Sequence, residues 1–264
     1  DSVASRGLGD VYKRQVGMWS VVVFIPDIEK EFGLDRGTSS LLYAFTMIGF
    51  GFGTVVIGKV YDKFGIKKPI LLATFVLITS YYFYSIFPFY WQFLILQFFM
   101  GFAASAFFGP AMADISNFFN KQRGFALSIV ASANYVAGAT WPLLIGYFLT
   151  FIDWRAAHFW ISICLFIMIP LILLLKNASV DESKSHDMKQ RYKDIRLDLS
   201  NNQIQVLLML AGICCCVAMA MPQVHMVALC VDNGFGLQVG TEILAVMLYS
   251  CLLYTSDAAD DMQC

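Results

Sequence analysis

Six stretches of this chain contain no Arg, Lys, Asp or Glu: residues 38–58, 69–89, 91–113, 125–151, 156–175 and 204–230. This feature limits the fold most. Roughly 20 apolar residues in an α-helix cover the hydrocarbon core of a bilayer. A lipid-exposed backbone must satisfy its own hydrogen bonds, and unbroken runs of this length do so as helices. The composition agrees, with 58% hydrophobic residues and only 14% charged ones, against about 25% charged in soluble domains. The expected fold class is an all-α membrane protein. A net charge of −1 gives no electrostatic basis for binding nucleic acid.

Two further apolar runs, Val16 to Pro26 and Ile243 to Leu253, are too short to span, and the second is followed by Asp257, Asp260 and Asp261. The flanks DSVASRGLGDVYKRQ and CLLYTSDAADDMQC resemble translated sequencing-adapter sequence. The expected organisation is therefore a non-native tail over 1–15, an N-terminal transmembrane bundle over 16–176 with a shortened first helix, and a cytoplasmic linker over 177–203. Residues 204–250 begin a second bundle, with a seventh helix and part of an eighth, and 251–264 form another non-native tail. The linker holds the only long polar stretch, SVDESKSHDMKQRYKDIRLD.

Charge sets the orientation. Twelve Lys and Arg residues fall in 58–68, 114–124 and 176–203, and only Lys30, Arg36 and Arg155 lie on the opposite side. The positive-inside rule puts the twelve in the cytoplasm. The expected location is a multi-pass protein of a bacterial inner membrane.

Seven cysteines form neither a disulfide framework nor a zinc pattern, and Cys214, Cys215 and Cys216 read as small apolar helix residues. No metal or other cofactor is expected. His158, His186 and His225 are far apart. No H-E-x-x-H, serine–base pair or intramembrane aspartate pair points to an enzyme, and no Walker-type loop points to nucleotide hydrolysis. GFGFG at 49–53 lacks nucleotide-loop spacing and suits a close helix crossing.

The stretch GKVYDKFGIKK, residues 58–68, lies between the second and third spans on the basic side. It resembles the loop motif of the major facilitator superfamily, G-x-x-x-D-[RK]-x-G-x-[RK]-[RK]. Gly58, Asp62, Lys63, Gly65, Lys67 and Lys68 match, and Ile66 stands where Arg is common. In physical terms, Gly58 permits close helix approach, and Gly65 can take turn angles that other residues resist. The resemblance implies that Asp62 holds the two halves of the protein together on the cytoplasmic face. Lys67 and Lys68 lie within reach of Asp114, the candidate gate partner at the end of the fourth span. A loose internal echo aligns TVVIGKVYDKFGIKK with PLLIGYFLTFIDWRAA, matching Gly58 to Gly146 and Lys67 to Arg155. The resemblance thus implies the N-terminal six-helix half of a major facilitator fold, two inverted three-helix repeats, plus helix 7 and part of helix 8.

Three segments narrow the branch: FNKQRGFALSIVASANYVAGATWP (119–142), FIDWR (151–155) and PQVHMVALCVDNGFG (222–236). They are similar to monocarboxylate and oxalate–formate type transporters. One departure is Gln97, four residues before Gly101, where many members carry a proton-linked Arg.

Buried polar groups in lipid are costly and mark either a pathway or a helix–helix contact. The translocation-pathway candidates are Gln97, Asn134, Trp141, Gln223 and His225, and His158 is expected at the outer interface. Pro110 and Pro142 are expected to loosen their helices. The expected function is secondary transport of a small organic solute, a monocarboxylate-like anion, by alternating access, with a proton or counter-anion as coupling partner. The full-length protein is expected to be monomeric, and the fragment itself inactive. A non-transporting membrane sensor on the same fold and a membrane enzyme are the alternatives.

Overall fold

A computed structural model describes residues 16–65, 67–118, 123–173 and 200–261. Among these, all regular structure is helical: α1 (Val16–Phe32), α2 (Arg36–Phe64), α3 (Lys67–Ile86), α4 (Tyr90–Phe118), α5 (Arg123–Phe148), α6 (Trp154–Phe166), α7 (Met168–Leu173), α8 (Asn201–Asp232) and α9 (Gly236–Asp261). The expected tail at 1–15 and linker residues 177–199 lie outside the described residues. Within the described residues, segments of α2, α3, α4 and α8 are long and apolar enough to cross a membrane.

Several boundaries differ from expectation, because losing an apolar run is not the same as losing a helix. The α1 helix continues past Pro26 to Phe32. The charged residues there have ordinary helix propensity, and Gly33, with φ +61°, stops the chain. Likewise α9 begins at Gly236 and runs on through Asp257, Asp260 and Asp261. The sixth span breaks at Ile167. Pro170 has no N–H to give the carbonyl of Phe166, four residues earlier. By contrast, α4 and α5 are continuous through Pro110 and Pro142. The start of α8 is fixed by a capping box: Gln203 N–H donates to Ser200 Oγ (3.4 Å), and Ser200 N–H donates to Gln203 Oε1 (2.9 Å).

The central helix is α1, which packs on α2, α4, α5 and α8. Val21 to Ile25 are all buried, as a helix that is apolar all round should be. The outward faces of α2 and α3 carry Phe52, Val55, Leu72 and Phe75, each about 62–63% exposed, where a bilayer would cover them.

The closest pairing joins α2 to α4. A Cβ on Gly53 would lie 2.6 Å from Phe102 O, one on Gly49 would lie 2.8 Å from Phe98 C, and one on Gly101 would lie 2.7 Å from Thr46 C. The four-residue spacing puts Gly49 and Gly53 on one face, as GFGFG suggests, so two backbones touch without intervening side chains. The expectation for Gly58 is corrected. Among the described residues a Cβ there would meet nothing within 4 Å, because Gly58 is rotated off the face that carries Gly49 and Gly53.

The second bundle begins with α8 and α9, packed on each other and across the first bundle through α8 on α1 and α9 on α5. At the α5–α9 seam a Cβ on Gly146 would lie 2.9 Å from Thr241 Oγ1, and Thr140 and Tyr249 hydroxyls bond at 3.1 Å.

Candidate functional site

The 58–68 loop ends α2 and starts α3. Asp62 and Lys63 occupy the last turn of α2 and are exposed. Gly65 has φ +71° and donates its amide to Tyr61 O at 2.8 Å. A side chain would strain this conformation, so glycine is the residue the turn requires. Lys68 and Lys63 place their ammonium groups 4.9 and 5.4 Å from the centroid of Phe64. The aromatic face offsets part of the repulsion in this basic cluster. Lys67 and Lys68 form the first turn of α3. The side chain of Asp114, the candidate gate partner, lies outside the described residues.

Gln97 is buried among the helices of the N-terminal bundle, 1% exposed. It lies 2.8 Å from Thr46 Oγ1 on α2 and 3.2 Å from Tyr84 OH on α3. Thr46 also lies 2.9 Å from Leu42 O, yet its hydroxyl has one proton. Thr46 Oγ1 therefore shares that proton between Gln97 Oε1 and Leu42 O, while Gln97 Nε2 donates to Tyr84 OH.

The same tyrosine leads to His158. Its imidazole stacks on Tyr84 (4.4 Å, 6°) and packs against Phe24 (4.1 Å), Trp154 (5.6 Å) and Tyr81 (5.7 Å). Nδ1 donates to Trp154 O at 2.7 Å. The expectation of an interfacial His158 is corrected: it is 1% exposed. One turn into α6, it points inward to α1 and α3, and helix rotation rather than depth decides its surroundings.

Of the remaining candidates, Gln223 is buried, and Asn134, Trp141 and His225 are half-buried. Asn134 and Trp141 are on α5 and the other two on α8, so they belong to helices that take part in the contact between bundles.

At the opposite face, Glu31 near the end of α1 accepts from Arg155 Nη2 (2.6 Å) and Trp154 Nε1 (2.7 Å), and Arg155 Nη1 donates to Phe87 O (2.8 Å). These bonds fasten α1, α6 and the turn after α3 together. The start of α2 is capped by Asp35, which accepts from Thr38 Oγ1 (2.6 Å) and Thr38 N–H (3.1 Å). Those bonds, the hydroxyl's first, hold the Asp35 carboxyl below its ordinary range. Among the described residues no group of three His, Cys, Asp or Glu side chains could hold a metal.

A bundle of spanning helices, with a basic loop at one face and a second bundle beginning against it, is the architecture of a multi-pass membrane protein. The family model of the Major Facilitator Superfamily matches residues 14–256, and the chain belongs to that family. The match extends beyond residue 250, where the expected C-terminal tail begins.

Similar proteins include the MFS-type transporter pynF of Aspergillus niger, 28% identical over 55% of this chain and 34% of that one. The agnestins efflux protein AgnL12 of Paecilomyces divaricatus is 26% identical over 57% of this chain and 35% of its own. The fujikurins efflux protein of Gibberella fujikuroi is 32% identical over 36% of this chain and 21% of its own. The chain spans about a third or less of the length of these relatives. In fold it resembles the xylose transporter XylE from E. coli, with TM-score 0.55, 14% identity, and 67% and 48% of the two chains covered. The named curated relatives are fungal and give no support to the expected bacterial inner membrane.

Proposed function

We propose that the full-length protein is a secondary transporter that moves a small organic solute by alternating access between two helical bundles, with residues 58–68 and 177–203 in the cytoplasm. The observation that carries this reading is the family match over residues 14–256, together with α8 and α9 packed against α1 and α5. Such packing supplies the surface between halves on which rocking takes place. Asp62 acts at the cytoplasmic gate with the second half. Gln97, Asn134, Trp141, Gln223 and His225 are the pathway candidates, and transport rather than catalysis is the activity.

The substrate proposed from sequence resemblance is a monocarboxylate-like anion, coupled to a proton or counter-anion and moved by a monomer. A second reading, export of a larger organic product, is favoured by the two relatives named for efflux of agnestins and fujikurins. Uptake into proteoliposomes by the full-length protein separates them. Saturable counterflow of small carboxylates supports the first, and export restricted to larger products supports the second. Absence of movement across both panels would sink the transport reading and leave a sensor on the same fold.

A further inference from the structure

Arg36 is the first residue of α2, and Asp232 is the last residue of α8. A helix N-terminus carries partial positive charge and a C-terminus partial negative charge. A cation at the first position and an anion at the last are therefore each placed against the local field. Neither helix is stabilised by its own terminal charge, so the two residues need a tertiary explanation.

The structure gives one. Arg36 Nη2 lies 2.9 Å from both carboxylate oxygens of Asp232, joining residues 196 apart in the chain. This contact links the first bundle to the start of the second, on the face opposite the 58–68 loop. Arg36 Nε lies 2.8 Å from a second carboxylate, Glu29 Oε1, on α1. Glu29 is itself held by the hydroxyl of Ser39 on α2. The guanidinium is thus shared between an acid of its own bundle and an acid of the other.

We infer that Glu29, Arg36 and Asp232 form a reversible latch that closes the outer face between the bundles, with Arg36 as the moving cation's anchor and Asp232 as its catch. When the bundles part on that side, Asp232 leaves, and Arg36 keeps Glu29 as a counter-charge. The opened state therefore holds no bare buried cation, which is what makes breaking an ion pair expensive. The Arg36 and Asp232 side chains are 31% and 58% exposed, so water screens the pair and its contribution is modest. A modest bias suits a gate that must open in each cycle. This latch rests on the alternating-access reading above.

The test uses the full-length protein in lipid, with native cysteines replaced and spin labels at Phe151→Cys, in the turn after α5, and Phe235→Cys, in the turn before α9, both exposed. Pulsed electron resonance reads the outer-face distance. Arg36→Gln and Asp232→Asn are expected to raise the long-distance population by up to about fivefold. Arg36→Asp combined with Asp232→Arg is expected to regain the short distance relative to Arg36→Asp alone. Where Arg36→Gln fails to fold, Asp232→Asn decides, since it leaves the Glu29 pair intact. An unchanged distance distribution in the folded variant overturns the latch. Uptake is measured in parallel: a distance shift without transport sinks the transport reading and keeps the latch, and transport without a shift sinks the latch alone.

Discussion

Gly101 on α4 lies directly against the backbone carbonyl of Thr46 on α2, and a Cβ at Gly101 would fall 3.0 Å from the Thr46 Cα. No side chain can yield there, because the obstacle is backbone. Gly101→Ala is expected to cost about 1–3 kcal/mol, the usual range for overpacking, read as a lowered melting temperature in detergent. Gly51→Ala is the control. It meets nothing within 4 Å and gains helix propensity, so its melting temperature should hold or rise.

Gln97→Leu tests whether the buried amide positions helices or lines a path. Loss of its bonds to Thr46 and Tyr84 is expected to cost about 1 kcal/mol, in line with interhelical bonds in membranes. If stability holds and only the apparent substrate affinity changes, Gln97 belongs to the pathway.

Asp62→Asn in the full-length protein is expected to lower transport roughly 5- to 150-fold, the span of typical coupling energies, with the melting temperature unchanged. Exchanging Asp114 and Lys68 should recover activity that each single reversal loses. No recovery would count against Asp114 as the partner.

Gly65→Ala is expected to destabilise the α2–α3 turn by about 1 kcal/mol or more, since φ at this residue is +71° and alanine resists that region. Gly65→Asn should lose about as much, because with ψ at −174° the residue lies outside the left-handed helical well that asparagine tolerates and in a region open essentially to glycine alone. A clearly smaller loss in Gly65→Asn would show that this backbone conformation is not the cause.

The Asp35 cap predicts a pH dependence of fixed sign. Its carboxyl is held below the ordinary value by Thr38, so the folded state favours the anion. The stabilisation is complete above the unfolded value of about 3.9 and is lost as pH falls through the lower folded value. Melting curves should show a decline below about pH 4 that is smaller in Asp35→Asn. An identical acid profile in that variant would remove Asp35 as a contributor.

The spans in α2, α3, α4 and α8 were legible because absence of charge over twenty residues favours a membrane helix, and GFGFG was legible because small residues four apart share a face. Gly58 and His158 were not, since sequence gives depth along a helix but not its rotation against neighbours. The reach of α1 and α9 beyond their apolar runs was missed for a related reason: hydropathy reports lipid contact, whereas helix ends follow caps and glycines such as Gly33. Ser200–Gln203 was an available signal for the start of α8. The pairing of Arg36 with Asp232 had none, because ion pairs across the chain leave no local pattern, although two terminal charges opposed to their helix dipoles were a hint.

Phe24, Tyr81, Tyr84 and Phe93 are all fully buried with His158, and their rings fill the space among α1, α3, α4 and α6. That end of the first bundle is a solid stopper. On the transport reading proposed above, such a stopper makes the first bundle one wall of a passage and not its bore.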